Sequence, residues 1–498
     1  MAPGMTIGGW ALGATGIAAV ARATRRRGGA VVLLAASLAV TGCSTVGAIK
    51  ETFLGGSSGS GDTAKRLSGF IGGVVADEPR ATLAAREILA MGGNAADAAV
   101  GLAFTLAVTL PSRAGLGGGG GCIAYNPRTD GPGRGNPEAV MFMPVAGGAG
   151  AGADRPAAVP MLARGLFALH ARYGKQPFET LIAPAELLAR FGTPVSRALL
   201  RDLAVVSGPL MADPNARAVF APGGVPLAEG STLTQSDLGG TLAQIRTAGV
   251  GDLYQGALAR RLEDASRVAG GGLTVADMRA ALPRTGGPLV VRAGRDSVAF
   301  LPPPADGGLA TAAAFQALQA TPGDLAGAQG RALGAAAQLR RGGGDPQAIL
   351  AAAPSGGGLG AMPASTGFAV LDRDGNSVAC ALTMDNLFGT GRIAPGTGIL
   401  LAASPRSVTP PLLAAAIAWN GNVQGFRAAV TGTGQEGAAL AAAVALANTL
   451  RSNSAMPAAV PEPGRANVIQ CSRYLPANES ACSAAVDPRS FGLSAGSN

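Results

Sequence analysis

Two adjacent hydroxyl residues, Ser365 and Thr366, are the strongest candidates for chemistry in this sequence. They follow a segment rich in glycine, alanine and proline at residues 320–361 and directly precede a β-prone run at residues 367–371. A serine or threonine that chain cleavage places at an N-terminus needs no histidine. Its own α-amino group, with a pKa of about 8, can accept the hydroxyl proton. This placement predicts an N-terminal nucleophile at the start of a strand.

The single histidine, His170, removes the commonest alternatives to such a nucleophile. Two-histidine zinc sites are excluded, and a serine–histidine–aspartate triad would have to use His170 itself. His170 lies in a helical pattern, where we expect a structural role. The glycine run at residues 117–121 lacks a following Lys-Ser/Thr pair and precedes a strand, so it indicates close backbone packing rather than a phosphate-binding loop. We therefore predict neither a metal nor a cofactor.

The charge content is low, and it excludes one class of partner. Charged residues make up 14% of the 498 residues, and the formal net charge is +9 at pH 7. Typical globular chains carry about 25% charged residues, so this surface must be built from small, weakly polar side chains. Basic residues form no stripe interleaved with aromatic ones, and nucleic acid is therefore not an expected partner.

The elements that must position the two hydroxyls change in type along the chain. The first part reads as a strand at residues 72–76, two helices at 80–91 and 95–110, and a strand at 122–125. Residues 156–290 read as mostly helical, and the segment at 320–361 is expected to be mobile and exposed. Two β-prone runs, at 367–371 and 377–383, flank Asp372-Arg373-Asp374-Gly375-Asn376, which predicts a hairpin. A helix at 436–450 and an irregular tail at 451–498 complete the chain.

The first 43 residues indicate export as a lipoprotein. Four arginines between residues 22 and 27 precede a short apolar stretch, and Val40-Thr41-Gly42-Cys43 resembles the lipobox of bacterial lipoproteins. We expect residues 1–42 to be a signal peptide and residues 43–71 to be a tether that begins with a lipidated Cys43. This predicts a location in the bacterial cell envelope, facing the periplasm, with the membrane contacted through the lipid. The alternative is an uncleaved N-terminal anchor with an incidental cysteine.

The remaining four cysteines fall into two groups. Cys471 and Cys482 lie close together in the tail, and an oxidising cell envelope would allow them to form a disulfide. Cys122 and Cys380 lie in apolar, strand-like runs, where we expect buried thiols.

A series of motifs, in order along the chain, resembles those of the γ-glutamyltranspeptidases. The motifs are Gly92-Gly93-Asn94-Ala95-Ala96-Asp97-Ala98-Ala99, the glycine run at 115–121, Leu253-Tyr254-Gln255-Gly256, Phe388-Gly389-Thr390-Gly391 and Pro395-Gly396-Thr397-Gly398-Ile399-Leu400-Leu401. The resemblance extends over residues 72–450. It implies an α+β architecture, the four-layer αββα sandwich of the N-terminal-nucleophile hydrolases.

The resemblance also implies an activity and a division of the chain. Such precursors cleave themselves, and the large and small fragments stay associated. Here the large-subunit-like region would be residues 72–364 and the small-subunit-like region residues 365–450. The freed nucleophile would attack the γ-glutamyl amide of a glutathione-like small molecule or peptide, without a cofactor.

Individual site residues follow from the same resemblance. The nucleophile position falls on Ser365, and the threonine that follows it in the family falls on Thr366. The alternative is that Ser365 is an ordinary loop serine without a catalytic role. Thr383 matches the hydroxyl that supports the nucleophile. Asp385 falls where the family has an asparagine that contacts the substrate. Two glycines that form the oxyanion hole align with Gln435 and Glu436.

The sequence departs from the family where relatives bind the glutamyl group. Met143 stands where the family has an arginine that binds the α-carboxylate, and Ala402-Ala403-Ser404-Pro405 replaces the acids that hold the α-ammonium. Two functions therefore remain open. The first is a self-processing enzyme that transfers or hydrolyses γ-glutamyl or less polar amide-linked acyl groups. The second is a catalytically inactive envelope lipoprotein that keeps the fold as a scaffold or binding module.

Overall fold

The computed structural model describes residues 69–148, 153–357, 364–457 and 459–496. The predicted signal peptide, Cys43 and most of the predicted tether lie outside the described residues. Within the described part, no helix is both long enough and apolar enough to span a lipid bilayer.

Fourteen α-helices are present in the described residues. In chain order they are α1 Pro79–Ala90, α2 Ala95–Thr109, α3 Leu162–Tyr173, α4 Phe178–Phe191, α5 Arg197–Met211, α6 Pro214–Phe220, α7 Ser236–Ala248, α8 Asp252–Gln255, α9 Ala257–Val268, α10 Val275–Ala280, α11 Asp306–Ala320, α12 Leu325–Gly342, α13 Pro346–Ala352 and α14 Gly437–Ser452.

The strands of the described residues number nineteen. They are β1 Gly72–Ala76, β2 Gly119–Tyr125, β3 Glu138–Phe142, β4 Val145–Ala146, β5 Ala158–Val159, β6 Thr193–Pro194, β7 Thr232–Leu233, β8 Arg284–Gly286, β9 Leu289–Ala293, β10 Asp296–Phe300, β11 Ser365–Asp372, β12 Ser377–Thr383, β13 Ile393–Ala394, β14 Ile399–Leu400, β15 Ala414–Asn420, β16 Gly425–Thr433, β17 Arg465–Leu475, β18 Cys482–Val486 and β19 Leu493–Ala495.

Two antiparallel sheets form the centre of the molecule. The first has seven strands in the order β19-β1-β11-β12-β2-β3-β8, and the second has six in the order β18-β17-β16-β15-β10-β9. An apolar core that includes Val75, Ala369 and Ile417 lies between the two sheets. The central strands β1, β2, β11, β12, β15 and β16 are buried along their whole length, which is why most of them read as apolar runs in the sequence.

Helices cover the outer face of each sheet. Helices α1 to α10 contribute to one large core with the first sheet, and α11, α12, α13 and α14 to another with the second sheet. The helix α2 is buried on every side and starts at a capping box, in which Asn94 and Asp97 exchange hydrogen bonds of 3.0 Å. The layer order is therefore helix, sheet, sheet, helix, which confirms the predicted αββα sandwich.

The glycine run packs backbone against backbone, as the sequence predicts. A Cβ atom at Gly118 would lie 2.2 Å from the carbonyl oxygen of Thr383, and one at Gly119 would lie 2.2 Å from that of Phe142. Only glycine permits these approaches. The run therefore lets β2 lie between β12 and β3 with no side chains to separate them.

Two predictions about local order are wrong. The segment at 320–361 is not a mobile stretch over its described part, because α12 and α13 occupy most of it and pack small alanine side chains against α11 and α14. The tail at 451–498 is not irregular, since β17 and β18 extend the second sheet and β19 pairs with β1 of the first. Tertiary packing supplies order that weak local periodicity did not indicate.

The cysteines correct a further prediction. Cys471 and Cys482 form the expected disulfide, between β17 and β18. Cys122 and Cys380 also form a disulfide and are not free thiols. They lie directly opposite each other on β2 and β12, with their Cα atoms 4.1 Å apart. The sequence could not reveal this because it does not give the register of two strands so distant in the chain.

Candidate active site

Ser365 is the first residue of β11 and lies opposite Thr383 on β12. Side chains alternate along a strand, so Ser365 shares a face with Gly367, Ala369 and Leu371, and the last two contribute to the core between the sheets. The residue is 3% exposed, and its Oγ atom has no hydrogen-bond partner in the described structure. A buried hydroxyl thus lies at the strand end with its bonding capacity free.

Thr383 forms a hydrogen bond with the peptide bond that precedes Ser365. Its Oγ1 donates to the carbonyl oxygen of Ala364 at 2.6 Å and accepts from the backbone N–H of Asp385 at 2.7 Å. Because the Asp385 amide occupies a lone pair of the hydroxyl, the hydroxyl proton is directed at the Ala364 carbonyl. This contact polarises the carbonyl carbon next to the Ser365 nitrogen.

Thr366 faces a different set of partners. Its Oγ1 donates to Asp77 Oδ2 at 2.9 Å, and the other oxygen of Asp77 accepts from Asn467 Nδ2, also at 2.9 Å. Asn467 Nδ2 bonds as well to the carbonyl of Gly367 at 3.0 Å. The Thr366 hydroxyl is therefore committed to a structural network that fixes the start of β11. The sequence analysis missed Asp77 and Asn467, although Asp77 follows directly after the first predicted strand.

Asp385 is buried without a partner. It is 1% exposed, and neither carboxyl oxygen accepts or donates a hydrogen bond within the described residues. Burial raises its pKa to about 8, so the side chain is mainly protonated at neutral pH. A protonated carboxyl offers one donor and one acceptor, as an asparagine amide does. Asp385 also has a φ of 62°, a left-handed conformation that aspartate and asparagine both tolerate.

The loop that follows β16 lies at the same end of the sandwich. A Cβ at Gly367 would lie 2.7 Å from the Cβ of Thr431, so β16 crosses close to the start of β11. Gln435 and Glu436 follow four and five residues later, with exposed side chains, and Gln435 has a φ of 53°. Within the described chain their backbone N–H groups donate to no acceptor. Two free amides at the start of α14 suit a developing negative charge.

A cavity lined mostly by residues of apolar type lies at this end of the sheet, on the side of β3. Gly119 faces Thr383 in the strand register, and a Cβ there would lie 3.0 Å from the nitrogen of Pro144 and 3.1 Å from the Cβ of Met161. The cavity beyond them has a volume of about 530 Å³. Its lining is mainly apolar: Met141, Phe142, Met143, Val145, Ala146, Val159, Met161, Ala280, Ala281, Leu282, Pro283 and Pro304, with Asp277 and Arg284.

A basic cleft lies on the opposite side of β11. It is lined by Asp77, Thr433 and four arginines, which are Arg113, Arg201, Arg465 and Arg489. Three of the guanidinium groups have a carboxylate oxygen at 2.7 Å, in the pairs Arg113–Asp202, Arg465–Glu462 and Arg489–Asp487. The positive charge beside the site is therefore largely neutralised by carboxylates of the protein.

Other features of the described chain do not belong to this site. A second cavity, of about 690 Å³, is lined by Asp372, Asn376 and the loop before α2, at the other end of β11 from Ser365. His170 is structural, since its Nε2 is 2.6 Å from the Gln176 carbonyl oxygen and its ring packs against Phe178. No group of three or more potential metal ligands occurs among the described residues.

Replacing Asp385 with asparagine should remove a pH dependence of stability. The pKa of Asp385 is raised from 3.8 to about 8 on folding, so its contribution to stability is fully present below pH 3.8 and is lost as the pH rises to about 8. Relative to the wild type, Asp385→Asn should gain unfolding free energy across this range, by at most about 1.4 kcal/mol per pH unit. Urea unfolding at a series of pH values measures the difference.

The control is Asp374→Asn, which alters an exposed carboxylate on the hairpin turn. Parallel stability curves for Asp385→Asn and the wild type would show that Asp385 is ionised in the folded protein.

Comparison with known proteins identifies the family. The family model described as gamma-glutamyltranspeptidase matches residues 81–338. A glutathione hydrolase proenzyme of Bacillus subtilis (strain 168) is 32% identical over 253 residues, which are 48% of this chain and 43% of that protein. An acylase ACY 1 proenzyme of Pseudomonas sp. (strain SE83) is 34% identical over 235 residues, 43% of this chain and 41% of that protein. The chain thus matches less than half of the length of either relative.

A solved structure supports the fold over a longer span. The cephalosporin acylase from Bacillus halodurans superposes with a TM-score of 0.69, covering 89% of this chain and 99% of that one at 18% sequence identity. At this level of identity the likeness concerns the fold, which is that of the N-terminal-nucleophile hydrolases. Because the family model covers more than half of the sequence and the layer order agrees with this fold, the chain is a member of the γ-glutamyltranspeptidase family.

Proposed function

We propose that this chain is a self-cleaving precursor, whose Ser365 becomes an N-terminal nucleophile for the hydrolysis or transfer of amide-linked acyl groups. The observation that carries the proposal is the 2.6 Å hydrogen bond from Thr383 to the Ala364 carbonyl, next to the unpartnered Ser365 hydroxyl. If this strand end had only a structural role, a buried hydroxyl without a partner would lower the stability of the fold, because an unsatisfied buried donor costs about 1–3 kcal/mol.

Self-cleavage would use these groups in a defined order. The Ser365 Oγ attacks the carbonyl carbon of Ala364, and the hydroxyl of Thr383 stabilises the negative charge that develops on the carbonyl oxygen. The carbon–nitrogen bond breaks, the Ser365 nitrogen takes up the proton, and an ester joins Ala364 to the serine oxygen. Water then hydrolyses the ester. The products are a carboxylate at Ala364 and a free α-amino group and hydroxyl at Ser365.

The new N-terminus would then carry out acyl transfer. The α-amine of Ser365, with a pKa of about 8, accepts the hydroxyl proton as the oxygen attacks a substrate amide, and it returns the proton to the leaving amine. The backbone amides of Gln435 and Glu436 would donate to the oxyanion, since neither has an acceptor among the described residues. The side chain of Glu436 is exposed, so solvent screens its carboxylate. Water or an acceptor amine completes the transfer.

The acyl group of the substrate is proposed to be less polar than γ-glutamyl. Met143, at the family's arginine position, lines the apolar cavity together with Met141 and Met161. A glutamyl α-carboxylate placed there would lose its bidentate partner, a loss on the order of 2–5 kcal/mol. The two relatives, a glutathione hydrolase and an acylase, represent both kinds of amide substrate by name. The cavity favours the acylase type.

The inactive scaffold is the less favoured function. A protein that only kept the fold would gain nothing from the buried Ser365 hydroxyl, which has no hydrogen-bond partner among the described residues. The two relatives of this chain are both proenzymes, which also supports cleavage of this precursor.

A location in the cell envelope is part of the proposal. It rests on the lipobox-like Val40-Thr41-Gly42-Cys43 and on two disulfides, which form readily outside the reducing cytosol.

Ser365→Ala should leave the chain intact, because it removes the attacking oxygen. Ser365→Thr should still cleave, and so should Thr366→Ala, since the Thr366 hydroxyl bonds to Asp77. Thr383→Val should slow cleavage by about 10²-fold or more, the usual cost of removing one oxyanion donor, and Thr383→Ser should restore it. Reduced denaturing gels with N-terminal sequencing measure these outcomes. A cut before Ser365 that persists in Ser365→Ala would refute the mechanism.

Substrate preference separates the two acyl classes. With the processed protein, anilides of aliphatic or aromatic acyl groups should react faster than γ-glutamyl anilide. Met143→Arg should shift the ratio of kcat/KM toward the γ-glutamyl compound by about tenfold or more, which corresponds to a gain of about 1.4 kcal/mol. Arg292→Met, on the exposed edge of the second sheet, is the control for the effect of changing the charge at a position outside the cavity. Equal effects on both substrates would contradict this assignment.

Lipidation is tested at Cys43. When the full chain is expressed in a bacterium grown with labelled fatty acid, the label should enter the protein and the protein should sediment with membranes. Cys43→Ser should abolish both, whereas Cys471→Ser should leave them unchanged. Labelling that survives in Cys43→Ser would assign the anchor elsewhere.

A further inference from the structure

We propose that the disulfide between Cys122 and Cys380 joins the two fragments of the processed protein covalently. This inference rests on the proposed self-cleavage. Cys122 precedes the predicted cleavage point at Ala364–Ser365 by sequence, and Cys380 follows it. A cut there leaves one cysteine of the bond in each fragment.

The position of the bond in the fold supports a permanent link. Cys122 on β2 and Cys380 on β12 are register partners in neighbouring strands. Both are 0% exposed and form part of the core between the first sheet and its helices. A reductant in solution cannot reach the sulfur atoms unless the sheet opens. The second disulfide, Cys471–Cys482, lies wholly within the C-terminal fragment and cannot join the two.

The chemistry of the link is independent of the chemistry of cleavage. Disulfide formation removes two protons and two electrons from the thiols and passes them to a disulfide-bearing oxidant, which becomes a dithiol. Cleavage adds one water across the Ala364–Ser365 peptide bond and changes no sulfur atom. The processed protein is therefore one covalent species made of two peptide chains.

The sheet order gives the link a role when the structure opens. Strands of the two fragments alternate in the first sheet, where β11 and β12 of the C-terminal fragment lie between β1 and β2 of the N-terminal one. Backbone hydrogen bonds hold the fragments together while the protein is folded. After unfolding, the disulfide makes reassociation an intramolecular event, and the high effective concentration favours correct pairing.

Gel electrophoresis of the full-length processed protein tests the link. With a reductant, two bands should separate, and the smaller should begin at Ser365. Without a reductant, after blocking free thiols, one band of the uncleaved mass should appear. The double variant Cys122→Ala/Cys380→Ala should give two bands under both conditions, whereas the matched control Cys471→Ala/Cys482→Ala should behave as the wild type.

A measurement on the wild type keeps the proposal testable if the double variant fails to fold. A protease digest made without reduction should contain a cross-linked pair of peptides, one with Cys122 and one with Cys380, and the pair should disappear on reduction. Wild-type fragments that separate without a reductant, or free thiols at both positions, would overturn the link.

The two proposals fail in different ways. One intact chain on the reduced gel would refute self-cleavage, and with it any joining of fragments, even if the cross-linked peptides were found. Two bands on both gels would refute the link and leave self-cleavage standing. Refolding gives a further readout: recovery of the processed wild type should not depend on protein concentration, whereas recovery of the double alanine variant should fall on dilution.

Discussion

The candidate site depends on the pairing of β11 with β12 in the middle of the first sheet. The register places Ser365 opposite Thr383, and this brings the threonine hydroxyl within 2.6 Å of the carbonyl that precedes the serine. A slip of β11 by one residue would turn the Ser365 side chain to the other face. The register is held on either side by β1 and by β2, whose first residues Gly119, Gly120 and Gly121 approach β12 closely because they have no side chains.

Burial gives the polar groups of this strand end their chemical character. Among the residues that the structure describes, the Ser365 hydroxyl and the Asp385 carboxyl have no partners, and such buried groups are costly in a folded protein. Burial also raises the pKa of Asp385 to about 8, so that the protonated carboxyl presents one donor and one acceptor. The low charge content of the sequence has a local counterpart here, since Met141, Met143 and Met161 line the nearby cavity.

Chain topology ties the parts of the site to distant segments. Asp77 from the end of β1 and Asn467 from β17 meet at the start of β11, and together they fix Thr366 and Gly367. The C-terminal residues complete both sheets, with β17 and β18 in one and β19 in the other. A cut before Ser365 would therefore release a new N-terminus inside a sheet whose neighbouring strands belong to both fragments.

Much of the fold and the identity of the candidate residues followed from the sequence. The start of α2 at Ala95, the hairpin around Asp372 and the β-prone run after Ser365 depend on residues close together in the chain, and these local signals were sufficient. Contacts between distant segments could not be read in this way. The order in 320–361 and in the tail comes from packing, and the Cys122–Cys380 bond comes from strand register.

The sequence by itself identified a hydroxyl at a strand start as the candidate nucleophile, because one histidine leaves few other bases. Only the tertiary structure distinguished Ser365 from Thr366, since successive side chains of a strand point in opposite directions and meet different neighbours. One hydroxyl enters the space between the sheets without a partner, and the other bonds to Asp77. The two hydroxyls differ in their surroundings, and these depend on residues that are distant in the sequence.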